Sequence, residues 1–250
     1  MLFVDDNPAE RALIRRELPE VMVPELGDDP SLYVDRIAAS GWLEATALTD
    51  DDLVRASQYQ ANAQRTAARA DVTDIDAYLR SLTMEMRWRS FDRIGLSRVA
   101  QLINKSNQFN LTTRRYNEAE IEAMINDPAV LSLQLRLLDS FGDNGMISVL
   151  IARLTEAGTA EIDTWLMSCR VLGRGAEAAA LNLLVQQAQA CGVERLIGRY
   201  LPSAKNGMVA AHYEKLGFVL LERGEDGSST WQLDLTQFTP LPCHIECTEG

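Results

Sequence analysis

Leu166-Met167-Ser168-Cys169-Arg170-Val171-Leu172-Gly173-Arg174-Gly175-Ala176 sets two glycines among basic and polar side chains, between an apolar strand-like run and a long Ala/Leu-rich one. Glycine permits a tight turn whose amides converge on a point, and the helix that follows adds unpartnered N–H groups and the positive end of its dipole. Such a junction can cradle a phosphate. The same spacing also serves a plain tight turn, and spacing by itself leaves both readings open.

Working outward, the runs at 129–138, 144–154 and 160–168 read as consecutive strands ahead of the glycines. Behind them come a helix at 175–190, a strand at 194–199, a helix at 206–215 and strands at 218–222 and 229–235. Further upstream lie a strand at 83–89, a helix at 94–104 and a helix at 117–126, opened by Asn117 with Glu120 in a capping-box pattern. The order is β-α-α-β-β-β-α-β-α-β-β, an α/β chain without an internal repeat. The first 82 residues are less regular. Met1-Leu2-Phe3-Val4 and Val21-Met22-Val23 suit short strands, and Asn7-Pro8 caps and opens a helix over 11–18. A short helix fits 30–39, and Thr49 with three aspartates starts another. From 53 to 70 the apolar positions are largely Ala, so that helix buries little and reads as a connector.

With 46% hydrophobic residues in 250, the chain can build a sizeable core. Its 24 Lys/Arg against 36 Asp/Glu give a net charge of −12, which disfavours a nucleic-acid binder. Charge is uneven: residues 1–81 balance at −8, whereas 87–115 carry Arg87, Arg89, Arg93, Arg98, Lys105, Arg114 and Arg115 against Asp92 alone, a balance of +6. Four scattered cysteines argue for a reducing, cytoplasmic setting, and neither a signal peptide nor a membrane-length apolar run is present. Cys243-His244-x-x-Cys247 offers three ligands in a Pro-flanked tail, short of the four a structural zinc wants, so the reading is an irregular tail and no metal.

The spacing Arg170-x-x-Gly173-x-Gly175 resembles the pyrophosphate loop of the GNAT acyltransferases, and the element order from residue 83 is similar to that fold. Asn206 and Tyr213-Glu214-Lys215-Leu216-Gly217-Phe218 resemble the helix and strand flanking its pantetheine arm. The resemblance implies a mixed sheet whose central strands, 160–168 and 194–199, splay apart to receive an acyl-pantetheine thioester. Longer strings narrow it: Asn104-Lys105-Ser106-Asn107-Gln108-Phe109-Asn110-Leu111-Thr112-Thr113-Arg114-Arg115-Tyr116, Asp139-Ser140-Phe141-Gly142-Asp143-Asn144-Gly145 and Asp163-Thr164-Trp165-Leu166-Met167-Ser168-Cys169-Arg170. Together with Phe3-Val4-Asp5-Asp6-Asn7-Pro8 they resemble the FkbH family, which joins a HAD-type phosphatase to a GNAT-like domain. That family is implied to move a glyceryl group from a bisphosphoglycerate donor to the phosphopantetheine of an acyl carrier protein, for methoxymalonyl-type polyketide extender units.

Carried onto this sequence, the resemblance implies three regions: an incomplete HAD-like (Rossmannoid) remnant with a helical linker at 1–82, a GNAT-like acyltransferase domain at 83–236, and the irregular tail at 237–250. The HAD nucleophile motif Asp-x-Asp is not found ahead of Asp5-Asp6, so phosphatase activity is not expected from this chain, and Mg²⁺ enters only with an upstream HAD segment. Asp5-Asp6-Asn7 then reads as a helix cap. Cofactor contacts fall on Arg170, Gly173, Arg174, Gly175, Ala176 and Asn206, and the cofactor is coenzyme A or carrier-protein phosphopantetheine. Cys169 is either an acyl acceptor or a small packed hydrophobe. Tyr213 is either the acid that reprotonates a leaving thiolate or an aromatic on the sheet, and His212 beside it suits packing. Asn104, Lys105, Asn107, Gln108, Asn110, Thr112 and Arg114 form a polar run that the fold sets over the acyl end of the cleft. Expected partners are an acyl carrier protein and a small acyl donor, with no nucleic acid or membrane. Acetyl-CoA-dependent N-acetyl transfer and a non-catalytic pantetheine-binding module are the alternatives.

Overall fold

The structure, a computed structural model, describes residues 2–42, 61–65, 68–69, 72, 74–155 and 158–250. The chain divides into two compact units, Met1–Leu53 and Val54–Gly250.

In the first unit, α1 (Pro8–Glu17) begins at Asn7, whose side chain accepts the Ala9 N–H at 2.9 Å. Asp5 Oδ1 accepts the Asn7 N–H at 2.8 Å, and the buried Arg11 donates to the Asp5 and Asp6 carbonyls at 2.9 and 2.8 Å. The acidic pair thus serves the helix entrance. The strands read at 1–4 and 21–23 reduce to one parallel bridge, Leu2 to Met22. A turn at Pro30–Leu32 leads into α2 (Tyr33–Ala39). The helix read from Thr49 lies outside the described residues.

The second unit is built on one sheet. Its strands are β1 (Met84–Arg89), β2 (Val130–Asp139), β3 (Gly142–Leu154), β4 (Thr159–Met167), β5 (Arg195–Tyr200), β6 (Val219–Arg223), β7 (Ser229–Asp234) and β8 (Ile245–Glu249), in the order β6-β7-β5-β4-β3-β2-β1-β8. Only β1–β8 and β4–β5 pair in parallel. Helices α3 (Ile75–Ser81), α4 (Leu96–Lys105), α5 (Glu118–Met124), α6 (Ala176–Ala190) and α7 (His212–Lys215) accompany it, and the described residues 61–65 are also helical. The Asn117–Glu120 capping box is formed at 2.9 and 2.7 Å.

Period-two alternation decides which helix covers which face. Val149, Ile151 and Leu166 pack with Val99, Ile103 and Ile121 of α4 and α5. Their neighbours Leu150, Ala152, Trp165 and Met167 join the larger core with Leu181 and Leu184 of α6. Fully burying side chains of this size contributes roughly 1.5–3 kcal/mol each.

Two sequence readings are corrected. The 53–70 stretch is not a bare connector where it is described: Arg65 is buried and Ala68 packs on the core. Its role rests on long-range ion pairing that an Ala pattern does not show. The tail is not irregular throughout, because Met84 to Trp88 pair with Ile245 to Glu249 as a parallel eighth strand. His244 Nε2 lies 3.5 Å from Asp76, and burial pushes the Cys247 thiol up to about 11.

Candidate functional site

β4 and β5 pair only from Thr159–Arg195 to Ile162–Gly198 and then separate. The edge this exposes on β4 is taken by the chain itself. The Leu111 N–H donates to the Trp165 carbonyl and the Met167 N–H to the Phe109 carbonyl, both at 3.2 Å. On the far side, the Leu201 N–H donates to the Leu111 carbonyl at 2.8 Å. The segment between α4 and α5 therefore supplies a short strand-like wedge in the gap expected to receive the thioester. Phe109 and Leu111 are buried, and Thr112 Oγ1 donates to the Asp163 carbonyl at 2.8 Å.

Asn206 locks this wedge. Fully buried, it accepts from the Ser203 N–H at 2.7 Å and the Tyr200 hydroxyl at 3.3 Å, and donates to the Asn110 and Leu201 carbonyls at 2.9 Å each. Its hydrogen-bonding capacity is spent inside the protein, so it is a brace rather than the contact to a cofactor arm read from the sequence.

After β4 the chain makes a single 3₁₀ turn, Cys169–Val171, then takes positive φ at Gly173 (73°) and at Gly175 (83°), the residue before α6. No side chain caps α6, leaving the donors of its first turn to other partners. Gly175, Glu177 and Ala178 form one wall of a groove of about 360 Å³. Phe109, Leu172, Met208, His212, Lys215 and Leu216 supply the others. Ala176 is fully buried beneath the turn.

Arg174 is committed elsewhere. It donates to Asp139 at 3.2 Å, to Asn62 at 3.3 Å and to the Arg170 carbonyl at 2.7 Å. Asp139, with no exposed side-chain area, also accepts a bidentate pair from Arg65 at 2.7 and 2.8 Å and the Asn144 amide at 3.1 Å. Burial would raise the Asp139 pKa, and the hydrogen bonds from Arg65 and Asn144 outweigh it, holding the carboxylate ionised. This knot ties the glycine turn to the end of β2.

Cys169 is exposed and lines a second, larger cavity of about 660 Å³ with Lys105, Ser106, Asn107, Gln108, Phe109, Ser168 and Lys205. Of the seven residues expected over the acyl end, Lys105, Asn107 and Gln108 line this cavity. The other four are structural. Asn104 donates to the Ala100 and Tyr116 carbonyls, and Asn110 accepts the Thr113 N–H. Thr112 holds Asp163, and Arg114 ion-pairs with the Asp163 carboxylate, which Tyr116 and Arg153 also bind. Phe109 lines both the groove and this cavity.

His212, which the sequence reading assigned to packing, lines the groove with its Nε2 buried and unpartnered. Burial, with the Lys215 charge acting in the same direction, pulls its pKa down to about 3, so the ring is neutral and a poor base. Trp165 and Phe109 meet it edge-on at 4.5 and 4.9 Å. Tyr213 is fully buried against Phe218 and over Gly198, where a Cβ would come within 2.4 Å of its ring. Burial drives its pKa far up. It lines neither cavity, a placement that matches the aromatic-on-the-sheet reading rather than the general acid.

No protein-family model matches this sequence. No curated protein matches it either. Solved structures similar to it include the ribosomal-protein-S18-alanine N-acetyltransferase of Escherichia coli, 17% identical over 60% of this chain and 94% of that one, with a TM-score of 0.45. The GNAT domain of S. lividans PAT is 18% identical over 60% and 90%, at 0.47. A Vibrio cholerae spermidine N-acetyltransferase in complex with CoA and spermine is 13% identical over 61% and 97%, at 0.46.

The basic stretch 87–115 does not form a free cationic face. Arg87 pairs with Glu85 at 2.8 Å, Arg89 with Asp92 at 2.9 Å, Arg93 with Glu122 at 3.2 Å and Arg114 with Asp163. Arg115 donates to the Ile103 and Ser106 carbonyls. Sequence reasoning missed Phe109, Met208 and Lys215 as groove walls; the available signal was Phe109-x-Leu111, an alternation embedded in a polar run.

Proposed function

We propose that this chain is an acyltransferase of GNAT-like architecture that takes its acyl group as a pantetheine thioester, from coenzyme A or a carrier protein. The observation that carries the reading is the uncapped start of α6 beside the left-handed Gly175, opening on a groove walled by Phe109, Met208 and a neutral His212. Main-chain amides at a helix N-terminus suit a phosphate, and the apolar groove with one unpartnered ring nitrogen suits an arm that carries amides. Because the β4 edge is already paired, the arm runs along the groove rather than beside β4.

A finer reading, handling of a hydroxylated or phosphorylated acyl group such as glyceryl, is favoured by the composition of the second cavity. Its lining carries Lys105 and Lys205 with Asn107 and Gln108 and no carboxylate, which suits an oxygen-rich or anionic acyl group better than a cationic amine. In this reading the Cys169 sulfur, as thiolate, attacks the thioester carbonyl, an acyl–sulfur bond forms on Cys169, and the pantetheine sulfur leaves and takes up a proton. Acetyl-CoA-dependent transfer to an amine uses the groove without Cys169.

Calorimetric titration with coenzyme A tests the groove. Ala178→Phe fills it without entering the core and should weaken binding at least tenfold, about 1.4 kcal/mol. Unchanged affinity in that variant, or no binding to the parent chain, overturns the reading. Incubation with an acyl donor followed by mass spectrometry then separates the finer readings: a covalent adduct lost in Cys169→Ala supports the cysteine route, and transfer to an amine unaffected by Cys169→Ala supports the other.

A further inference from the structure

Phe109 stands between two spaces of opposite chemistry. On one side is the groove of about 360 Å³, walled largely by apolar groups: Leu172, Ala178, Met208, Val209 and Leu216. On the other is the cavity of about 660 Å³ beside Cys169, where Lys105, Asn107, Gln108, Ser168 and Lys205 contribute to the lining. Among the described residues, Phe109 is the one that lines both.

The ring is a fixed partition. Phe109 is only 4% exposed and meets the His212 ring edge-on at 4.9 Å. Its carbonyl accepts the Met167 N–H at 3.2 Å, and the carbonyl of the next residue, Asn110, accepts from the buried Asn206 amide at 2.9 Å. The main chain under the ring is thus anchored to β4 and to the Asn206 turn, and moving it would orphan buried polar groups.

This partition bears on whatever hangs from the end of a pantetheine arm. An arm lying in the groove brings its sulfur to the Phe109 end, and the acyl group bonded to that sulfur then passes from apolar walls to lysines and amides. An aliphatic chain there strips water from Lys105, Lys205 and the amides and returns no hydrogen bond, whereas an oxygen-bearing chain replaces that water. Volume is not the limit, because the cavity is larger than the groove.

We propose that Phe109 is a specificity-determining residue: by ending the apolar groove at the thioester, it restricts the site to acyl groups that carry polar substituents and excludes plain aliphatic chains. This role rests on the pantetheine reading of the groove. Removing the ring extends the apolar space past the thioester, so an aliphatic chain no longer has to enter the polar cavity.

Calorimetric titration with two isosteric thioethers of coenzyme A, S-(4-hydroxybutyl) and S-pentyl, tests it, since a thioether binds without acylating Cys169. Their end groups differ as hydroxyl against methyl, and methyl binds better wherever the surroundings are apolar. The full chain should bind the hydroxybutyl compound about fivefold more tightly, the yield of one added hydrogen bond. In Phe109→Ala, or in the milder Phe109→Leu where the larger truncation unfolds the chain, the preference should fall to parity or reverse. A merely structural loss weakens both ligands alike and leaves their ratio unmoved. Lys105→Met/Lys205→Met, at two exposed positions away from the core, should also erase the preference, and Met208→Ala, at a residue lining the groove alone, should keep it. If the parent chain binds neither coenzyme A nor its thioethers, the pantetheine reading falls and this role falls with it. Coenzyme A bound but the two thioethers held equally, the pentyl compound preferred, or a preference that survives in the Phe109 variants or the lysine pair or is lost in Met208→Ala, overturns the role of Phe109 alone.

Discussion

The Met167 N–H donates to the Phe109 carbonyl at 3.2 Å, so the edge of β4 that its separation from β5 leaves open is closed by the chain's own backbone. This bond has two consequences. It satisfies main-chain groups that a splayed strand would otherwise expose, and it leaves Phe109 as the wall between the groove and the Cys169 cavity.

Leu111, fully buried at the centre of the wedge, should be costly to truncate. Leu111→Ala is expected to lose about 2–5 kcal/mol of stability, measured by urea unfolding. A loss under about 1 kcal/mol would mean that the wedge is only loosely seated.

His212 makes stability pH-dependent. Its folded-state pKa of about 3 lies below its ordinary 6.5, so the unfolded chain binds the proton more readily between those values. The contribution of the neutral buried ring is complete above pH 6.5 and falls as pH drops toward 3, by up to about 1.4 kcal/mol per unit. Urea midpoints at pH 7.5 and 5.5 should differ in the parent chain and converge in His212→Leu. An equal shift in both would assign the dependence to other groups.

Asp139→Asn should destabilise the chain by about 3–5 kcal/mol, because it leaves Arg65 and Arg174 buried without their counter-charge. Thermal unfolding measures this. A neutral result would show that Asn62 and the Arg170 carbonyl suffice to hold Arg174.

Tyr213→Phe removes a fully buried hydroxyl that interacts with the Arg199 backbone, and should leave acyl transfer nearly unchanged while costing no more than about 1.5 kcal/mol of stability. Gly198→Ala, by contrast, forces a Cβ into the Tyr213 ring and should cost about 1–3 kcal/mol. A Tyr213→Phe variant that folds normally but loses turnover would restore the general-acid role.

The sheet from β1 to β7 was legible because its signals are local: apolar alternation, glycines at the turns, and the Asn117 box. What escaped depends on partners distant in sequence. β8 has only Ile245 as a buried apolar residue and exists through pairing with β1, about 160 positions away. Arg65 and Arg69 sit among alanines, where nothing nearby announces Asp139 or Arg170. The polar run 104–114 was read as a single surface, yet Asn110 and Thr112 turn inward because Phe109 and Leu111 carry the segment into the sheet. The glycines at 173 and 175 were legible as a turn from their spacing, whereas the internal hydrogen bond of Asn206 to the Asn110 carbonyl depends on a segment 96 positions upstream.

The proposed function requires a pantetheine arm to lie in the groove under Gly175 while the wedge stays in place. A crystal structure of the chain with coenzyme A measures this directly. The expected result is phosphate oxygens at the amides opening α6, the arm against Phe109 and His212, and the Leu111–Trp165 and Met167–Phe109 bonds intact. Coenzyme bound elsewhere, or an arm paired with β4 after displacement of Phe109–Leu111, would contradict it.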